Sequence, residues 1–152
     1  MVEDQLEIER LIVRYAELVD DGDFEGLGDL LAHAVLGPEG QSAEFGGRAG
    51  VVSVYSSTVR RYANGTPLTK HVTSNIQVDV DESGNSATAR SYFTVFQATE
   101  RLPLQPIIAG RYRDRFERAE DGWRFVERRF ITDLVGDLSE HLIGEPEQAL
   151  RG

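Results

Sequence analysis

The sequence predicts an α+β domain, helices first and an antiparallel sheet after. Three observations carry this. Apolar residues recur at helical spacing as far as Tyr62, strand-length runs rich in Val, Thr, Phe, Tyr and Ile dominate from Lys70 onward, and turn residues separate those runs.

From Asp4 to Asp20, Ile8, Leu11, Ile12, Tyr15 and Val19 form an amphipathic stripe that Gly22 ends. A second short helix is predicted from Phe24 to Leu31, after the acidic turn Asp20-Asp21-Gly22-Asp23. The stretch from Gly37 to Gly47 holds too many helix breakers and reads as a short strand or loop. A third helix is predicted from Val51 to Tyr62, on the stripe Val51, Val52, Tyr55, Val59 and Tyr62, with Asn64-Gly65 as a turn. Four strands follow: Lys70 to Val80, Ser86 to Ala98, Ile107 to Arg118 and Trp123 to Asp133. Asp121-Gly122 is a hairpin signal between the last two. No repeat or linker divides the chain, so one domain is expected over 1–142, with a mobile tail over 143–152.

Composition excludes several function classes. The chain has 152 residues, enough for one domain with a substantial core. Its 26 acids against 16 bases give a net charge of -10, which repels phosphate backbones and anionic lipid, so no nucleic-acid partner is expected. The absence of cysteine excludes disulfides, thiolate zinc sites and a cysteine nucleophile, and fits a reducing cytoplasm. The acidic N-terminus lacks the pattern of a signal peptide and no run reaches membrane-span length, so no membrane association is expected. Nucleotide loops, dinucleotide fingerprints, zinc-protease and serine-hydrolase motifs are all missing.

A few residues could carry chemistry. Asp20 falls at a helix C-terminus, beside Asp21 and Asp23, where a lone carboxylate is disfavoured. It is either a solvated acid or one held by a cationic or hydrogen-bonding partner. Of the three histidines, His71 alone lies in a strand-like run, and alternation groups it with Thr73 and Asn75, opposite Val72, Ile76 and Val78. A carboxylate on one ring nitrogen would fix its tautomer and leave the other nitrogen free to take a proton, a part Asp20 could play. Tyr15 is either a core tyrosine or a hydrogen-bond donor to a substrate oxygen. Five residues separate it from Asp20, so on a straight helix the two cannot touch one ligand. Arg128 and Arg129 are adjacent in the last strand, so at most one can enter a pocket on the sheet.

The segments Tyr15-Ala-Glu-Leu-Val-Asp20-Asp-Gly-Asp-Phe24, His71-x-x-x-Asn75, Gly110-Arg-Tyr-x-Asp-Arg-Phe116 and Gly122-Trp-Arg-Phe125 together resemble the SnoaL-like branch of the nuclear transport factor 2-like superfamily. The resemblance covers roughly Val2 to Leu142. It implies a cone-shaped α+β barrel of the cystatin-like type, a curved antiparallel sheet packed on three helices around one pocket. The branch includes enzymes similar to scytalone dehydratase, bile-acid 7α-dehydratase and hexachlorocyclohexane dehydrochlorinase, which use a His–Asp dyad without metal or organic cofactor.

Carried over by position, Asp20 and His71 match that dyad, Tyr15 matches the tyrosine of the bile-acid enzyme, and Arg128 or Arg129 falls near a late-strand arginine. The pocket implied would be lined by Val19, Phe45, Tyr55, Asn75, Phe93, Val95, Gln97 and Tyr112. Val19 stands where scytalone dehydratase has a tyrosine, and Gln97 where it has a second histidine. The resemblance implies a cofactor-independent lyase or isomerase acting on a cyclic, fairly apolar small molecule, in a homodimer or homotrimer. The same fold also serves non-catalytic ligand carriers and dioxygenase small subunits.

Overall fold

The structure, a computed structural model, describes residues 1–144. Helix α1 spans Val2–Asp21 and α2 spans Phe24–Leu30; α3 spans Gly47–Thr58, after the short strands β1 (Val35–Pro38) and β2 (Phe45–Gly46). Four long strands follow: β3 (Thr69–Val80), β4 (Ser86–Gln97), β5 (Gln105–Ala119) and β6 (Gly122–Val135). This is the expected α+β class. The single six-stranded sheet has the order β2-β1-β6-β5-β4-β3 and stays open, with β2 and β3 at its edges. Strands β3 to β6 form the expected meander, but β1 pairs with β6 in parallel, through Leu36 opposite Arg128. Among the described residues no helix is long and apolar enough to cross a membrane.

Local chemistry explains the boundaries. Gly22 closes α1 in the left-handed region, φ 70, and its amide bonds back to the helix. An added Cβ there would lie 2.1 Å from the Gly65 carbonyl oxygen, so the turn needs glycine twice over. Asp23 then caps α2, its carboxylate accepting from the Gly26 amide at 2.8 Å. The third helix begins and ends four residues earlier than its stripe suggests. Val59 is extended and bridges to Leu142, while Tyr62 binds the Glu140 carbonyl, so the last apolar positions serve a tertiary contact instead.

Helix α1 lies across β3, and α2 packs on α3. The core joins Ile8, Ile12 and Val19 of α1 to Phe24 and Leu27 of α2 and to Phe93, Ile107, Phe116 and Phe125 of the sheet. Each such side chain contributes roughly 1.5–3 kcal/mol by leaving water. Bulges between Ser74 and Gln77, Val95 and Phe96, Ala109 and Gly110, and Arg115 and Phe116 bend the long strands around this core. At Gly110 an added Cβ would meet the Ile131 carbonyl oxygen at 2.1 Å and the Phe93 ring at 2.8 Å. Only glycine lets those groups close up.

Of the expected tail, Ile143 and Gly144 are described, and Ile143 bonds to the Thr58 carbonyl at 2.9 Å. Residues 145–152 of that expectation lie outside the described residues.

Candidate functional site

The acidic turn after α1 divides three carboxylates among three situations. Asp23 caps α2, Asp21 is exposed, and Asp20 turns inward against β3. There it collects three donors. Its Oδ1 accepts from His71 Nδ1 at 2.6 Å and from the Thr69 hydroxyl at 2.8 Å, and its Oδ2 accepts from the His71 main-chain amide at 2.8 Å. The Asp20 and His71 side chains are only 12% and 8% exposed. Burial pushes the Asp20 carboxyl up, but the His71 ring, its charge and its amide, with Thr69, outweigh burial and hold the pKa below the usual value. The carboxylate is therefore ionised at neutral pH and can only accept, which puts a proton on His71 Nδ1 and leaves Nε2 free.

His71 borders a cavity of about 600 Å³ between the helices and the concave face of the sheet. Tyr15 and Val19 enter from α1, Val54 and Tyr55 from α3, Phe93 and Val95 from β4, Ile108 and Tyr112 from β5, and Phe130 and Thr132 from β6. Pro38, Glu44 and Phe45 form the wall nearest β1 and β2, and Leu138, His141 and Leu142 close the cavity from the chain that follows β6. Asp20 is not in this wall. It holds His71 from behind, so Tyr15 and Asp20 have no need to touch one ligand and α1 stays helical through both.

The aromatic rings form a connected belt. Phe93 stacks on Tyr112 at 4.5 Å, and Tyr112 meets Tyr15 and Phe130 edge to face at 5.8 Å. The Tyr15 and Tyr55 hydroxyls are joined by a short hydrogen bond. Burial raises the pKa of Tyr15, Tyr55 and Tyr112, so all three phenols are neutral hydrogen-bonding groups at neutral pH.

Besides Asp20, four of the expected site residues do not line this cavity. Asn75 sits at the β3 bulge with φ 53, where the ladder shifts register. That shift breaks the alternation: Ile76, Val78 and Val80 pack on the core, on the side of His71 and Thr73 where unbroken alternation would have put Asn75, Gln77 and Asp79, while Asn75 is exposed. Gln97 is buried beside the cavity but spends its amide nitrogen on the carbonyls of Pro67 and Glu140.

Arg128 does point inward, yet it lies beneath the aromatic belt. Its guanidinium carbon is 3.8 Å from the Tyr112 ring centroid and 4.2 Å from that of Tyr15, and it forms a fork with Asp114, both bonds 2.8 Å. Burial alone would weaken this cation, but Asp114 and the two phenols raise its pKa, so it stays charged. Arg129 faces the other way, as alternation requires, and pairs with Glu44 and Glu127.

The sequence reading also missed His141, Leu138, Phe130 and Thr132. His141 is 8% exposed and shares the cavity with His71. Burial first, and the His71 charge second, lower its pKa to about 4. The signal available was the pair Leu138 and Leu142 around it, an apolar one-turn spacing at odds with a solvated tail.

A family model described as the SnoaL-like domain matches residues 1–129. A search of the curated proteins found no match. Among solved structures, the chain is similar to a nuclear transport factor 2-like protein with a cystatin-like fold from Novosphingobium aromaticivorans. The identity is 29% and the TM-score 0.69, covering 85% of this chain and 81% of that one. It is also similar to Rv3472 from Mycobacterium tuberculosis, a protein of unknown function, at 25% identity and TM-score 0.69, covering 86% and 72%. A candidate scytalone dehydratase from N. aromaticivorans shares the fold at 23% identity and TM-score 0.68, covering 90% and 91%.

Proposed function

This chain belongs to the SnoaL-like domain family, and from that premise we propose that it is a cofactor-independent lyase or isomerase acting on a cyclic, largely apolar small molecule. The observation that carries the reading is the Asp20–His71 pair, 2.6 Å apart, behind an apolar cavity that His71 alone of the two borders. In this reading His71 Nε2 removes a proton from a ring carbon activated by a neighbouring carbonyl. The electron pair moves into the enolate, and Asp20 stabilises the imidazolium. In a dehydration the pair then forms the C=C bond and expels the β-hydroxyl, which leaves as water with a proton from the imidazolium. In an isomerisation the imidazolium returns its proton to another ring carbon instead. Either way the enzyme is restored.

Of the paired Tyr15 and Tyr55 hydroxyls, the one that accepts from the other would donate its own proton to the enolate oxygen, and the Arg128 cation behind the Tyr15 ring would favour negative charge there. The aromatic belt would orient a flat ring and keep water out. A dimer or trimer, expected of this family, would bury Val72, Tyr92 and Leu134, which are exposed on the sheet away from the cavity. Light scattering reports the oligomeric state.

The test of activity is a panel of cyclic β-hydroxyketones and unconjugated ring enones, followed by absorbance of the conjugated product. Turnover by the wild type that falls at least about 100-fold in His71→Gln supports the reading. Equal background from both proteins, with ring compounds still bound, would make the chain a non-catalytic ligand carrier.

A further inference from the structure

After β6 the chain turns back over the cavity and is fastened at several points. The Gly136 amide donates to the Ile107 carbonyl at 2.7 Å, the Arg60 amide to the His141 carbonyl at 2.8 Å, and the Ile143 amide to the Thr58 carbonyl at 2.9 Å. The Glu140 carbonyl accepts from the Tyr62 hydroxyl at 2.5 Å and from the Gln97 amide at 3.1 Å. Leu138 is 3% exposed and anchors the near end. His141 is thus held on both sides of its own peptide units and is a fixed part of the wall. The segment lies beyond the residues the family model matches, which end at 129.

Its imidazole is one of five buried side chains that carry an unpaired polar atom among the described residues. Nδ1 is sealed from solvent and has no hydrogen-bond partner among the described residues, which leaves Nε2 as the nitrogen the ring can offer to the cavity. Buried polar groups are nearly always paired, because an unpaired one costs about 1–3 kcal/mol. Gln97, close by, places its amide nitrogen on the Pro67 and Glu140 carbonyls and leaves its own Oε1 unpaired, so it does not serve the ring. Nothing in the mechanism above uses this ring. It faces the same cavity as His71, and between and around them the wall is mostly aromatic and aliphatic.

We propose that His141 is a ligand-binding residue of this cavity, a neutral imidazole that hydrogen-bonds an oxygen of an uncharged ring ketone or ring alcohol at the end closed by the C-terminal segment. The inference rests on the reading that the cavity takes a ring compound. A neutral imidazole can donate to a ketone or accept from a hydroxyl, and it offers no charge to a carboxylate or phosphate. Glu44 in the wall is balanced by its ion pair with Arg129 and offers an anion no attraction. Two histidines would then grip one molecule, His71 at the reacting carbon and His141 at an oxygen.

The test uses 2-naphthol and 2-methylnaphthalene, which match in size and differ by one hydroxyl. Both are titrated by fluorescence into the full-length wild type and His141→Phe, and the His141 ring Cε1–H resonance of the wild type is followed by NMR. The expected result is a wild-type preference for 2-naphthol that drops about tenfold in His141→Phe, the worth of one neutral hydrogen bond, with 2-methylnaphthalene bound equally by both. The resonance should move with 2-naphthol and not with 2-methylnaphthalene, a readout that holds even if the variant folds poorly. An unchanged preference in the variant, or a resonance that moves equally with both probes, overturns the role of His141 while leaving the cavity reading intact. A wild type that binds neither probe overturns both.

Discussion

Asp20 grips His71 twice, one carboxylate oxygen on the ring Nδ1 and the other on the main-chain amide. Ring orientation and strand position are therefore set by one side chain. In Asp20→Asn a terminal NH₂ must face one of these donors, and the surviving contacts no longer enforce one tautomer. We expect turnover to fall by about 10²–10⁴, with a stability loss of about 1–3 kcal/mol. The hydrogen-bonded Nδ1 proton should disappear from the downfield NMR spectrum. A variant that keeps both that signal and full turnover would remove Asp20 from the mechanism.

The Tyr15 and Tyr55 hydroxyls have each other as partners in the buried wall. Removing either one strands the other, so Tyr15→Phe and Tyr55→Phe should each cost about 1–2 kcal/mol in urea denaturation. The double variant should cost less than the sum, because no hydroxyl is left unpaired. Additive losses would mean that water already serves both hydroxyls.

Arg128 is fully buried beneath Tyr15 and Tyr112 and is balanced by Asp114, also fully buried. Arg128→Met leaves a carboxylate without its counter-charge and should lose about 3–5 kcal/mol. Arg128→Met combined with Asp114→Leu should recover most of that loss in thermal unfolding. Turnover should stay low in the double variant, since the cation behind the phenols is gone. Recovery of both together would show that Arg128 acts on folding alone.

The pH dependence of stability should carry a mark of His141. Burial and the His71 charge put its folded pKa at about 4, below the 6.5 of an unperturbed histidine, with Asp20 partly offsetting them. On acidification the unfolded chain takes up this proton first. The stabilising contribution is thus complete above 6.5 and drains away between 6.5 and about 4. We expect up to about 3 kcal/mol of urea-measured stability to be lost across that window and the loss to shrink in His141→Phe. Asp20, whose folded pKa lies below 3.8, contributes its own loss at still lower pH.

Much of the architecture was legible because local signals and burial agree. The α1 stripe and the Gly22 stop fall where the pattern puts them, and the hairpin signalled by Asp121-Gly122 forms with its turn one residue earlier, at Glu120-Asp121, Gly122 already pairing with Ala119. The parallel β1–β6 pairing was not legible, since β1 spans only Val35–Pro38 and its partner lies some ninety residues on, Leu36 opposite Arg128. At the site, strand alternation serves as far as Thr73 and fails at Asn75, because one bulge residue changes which positions face inward. Gln97 was misread for a different reason: its position on the strand is right for a pocket, but its amide is committed to main-chain carbonyls that only the folded chain brings near. His141 was passed over because its burial depends on contacts far away in sequence, the Arg60 amide on its carbonyl and Val59 bridging its neighbour Leu142.

Strand β3 is an edge of the sheet, and such an edge presents unpaired amides and carbonyls to any strand that drifts alongside. Here α1 lies along it. Asp20 occupies the His71 amide at one end, Gln5 reaches the Val78 carbonyl at 3.4 Å toward the other, and the Asn75 bulge interrupts the line between them. Changing Asp20 therefore exposes a docking point for a second chain as well as freeing a ring. At this position protection of the sheet edge and the proposed chemistry would draw on the same carboxylate, so Asp20→Ala should promote aggregation whether or not the protein turns over a substrate.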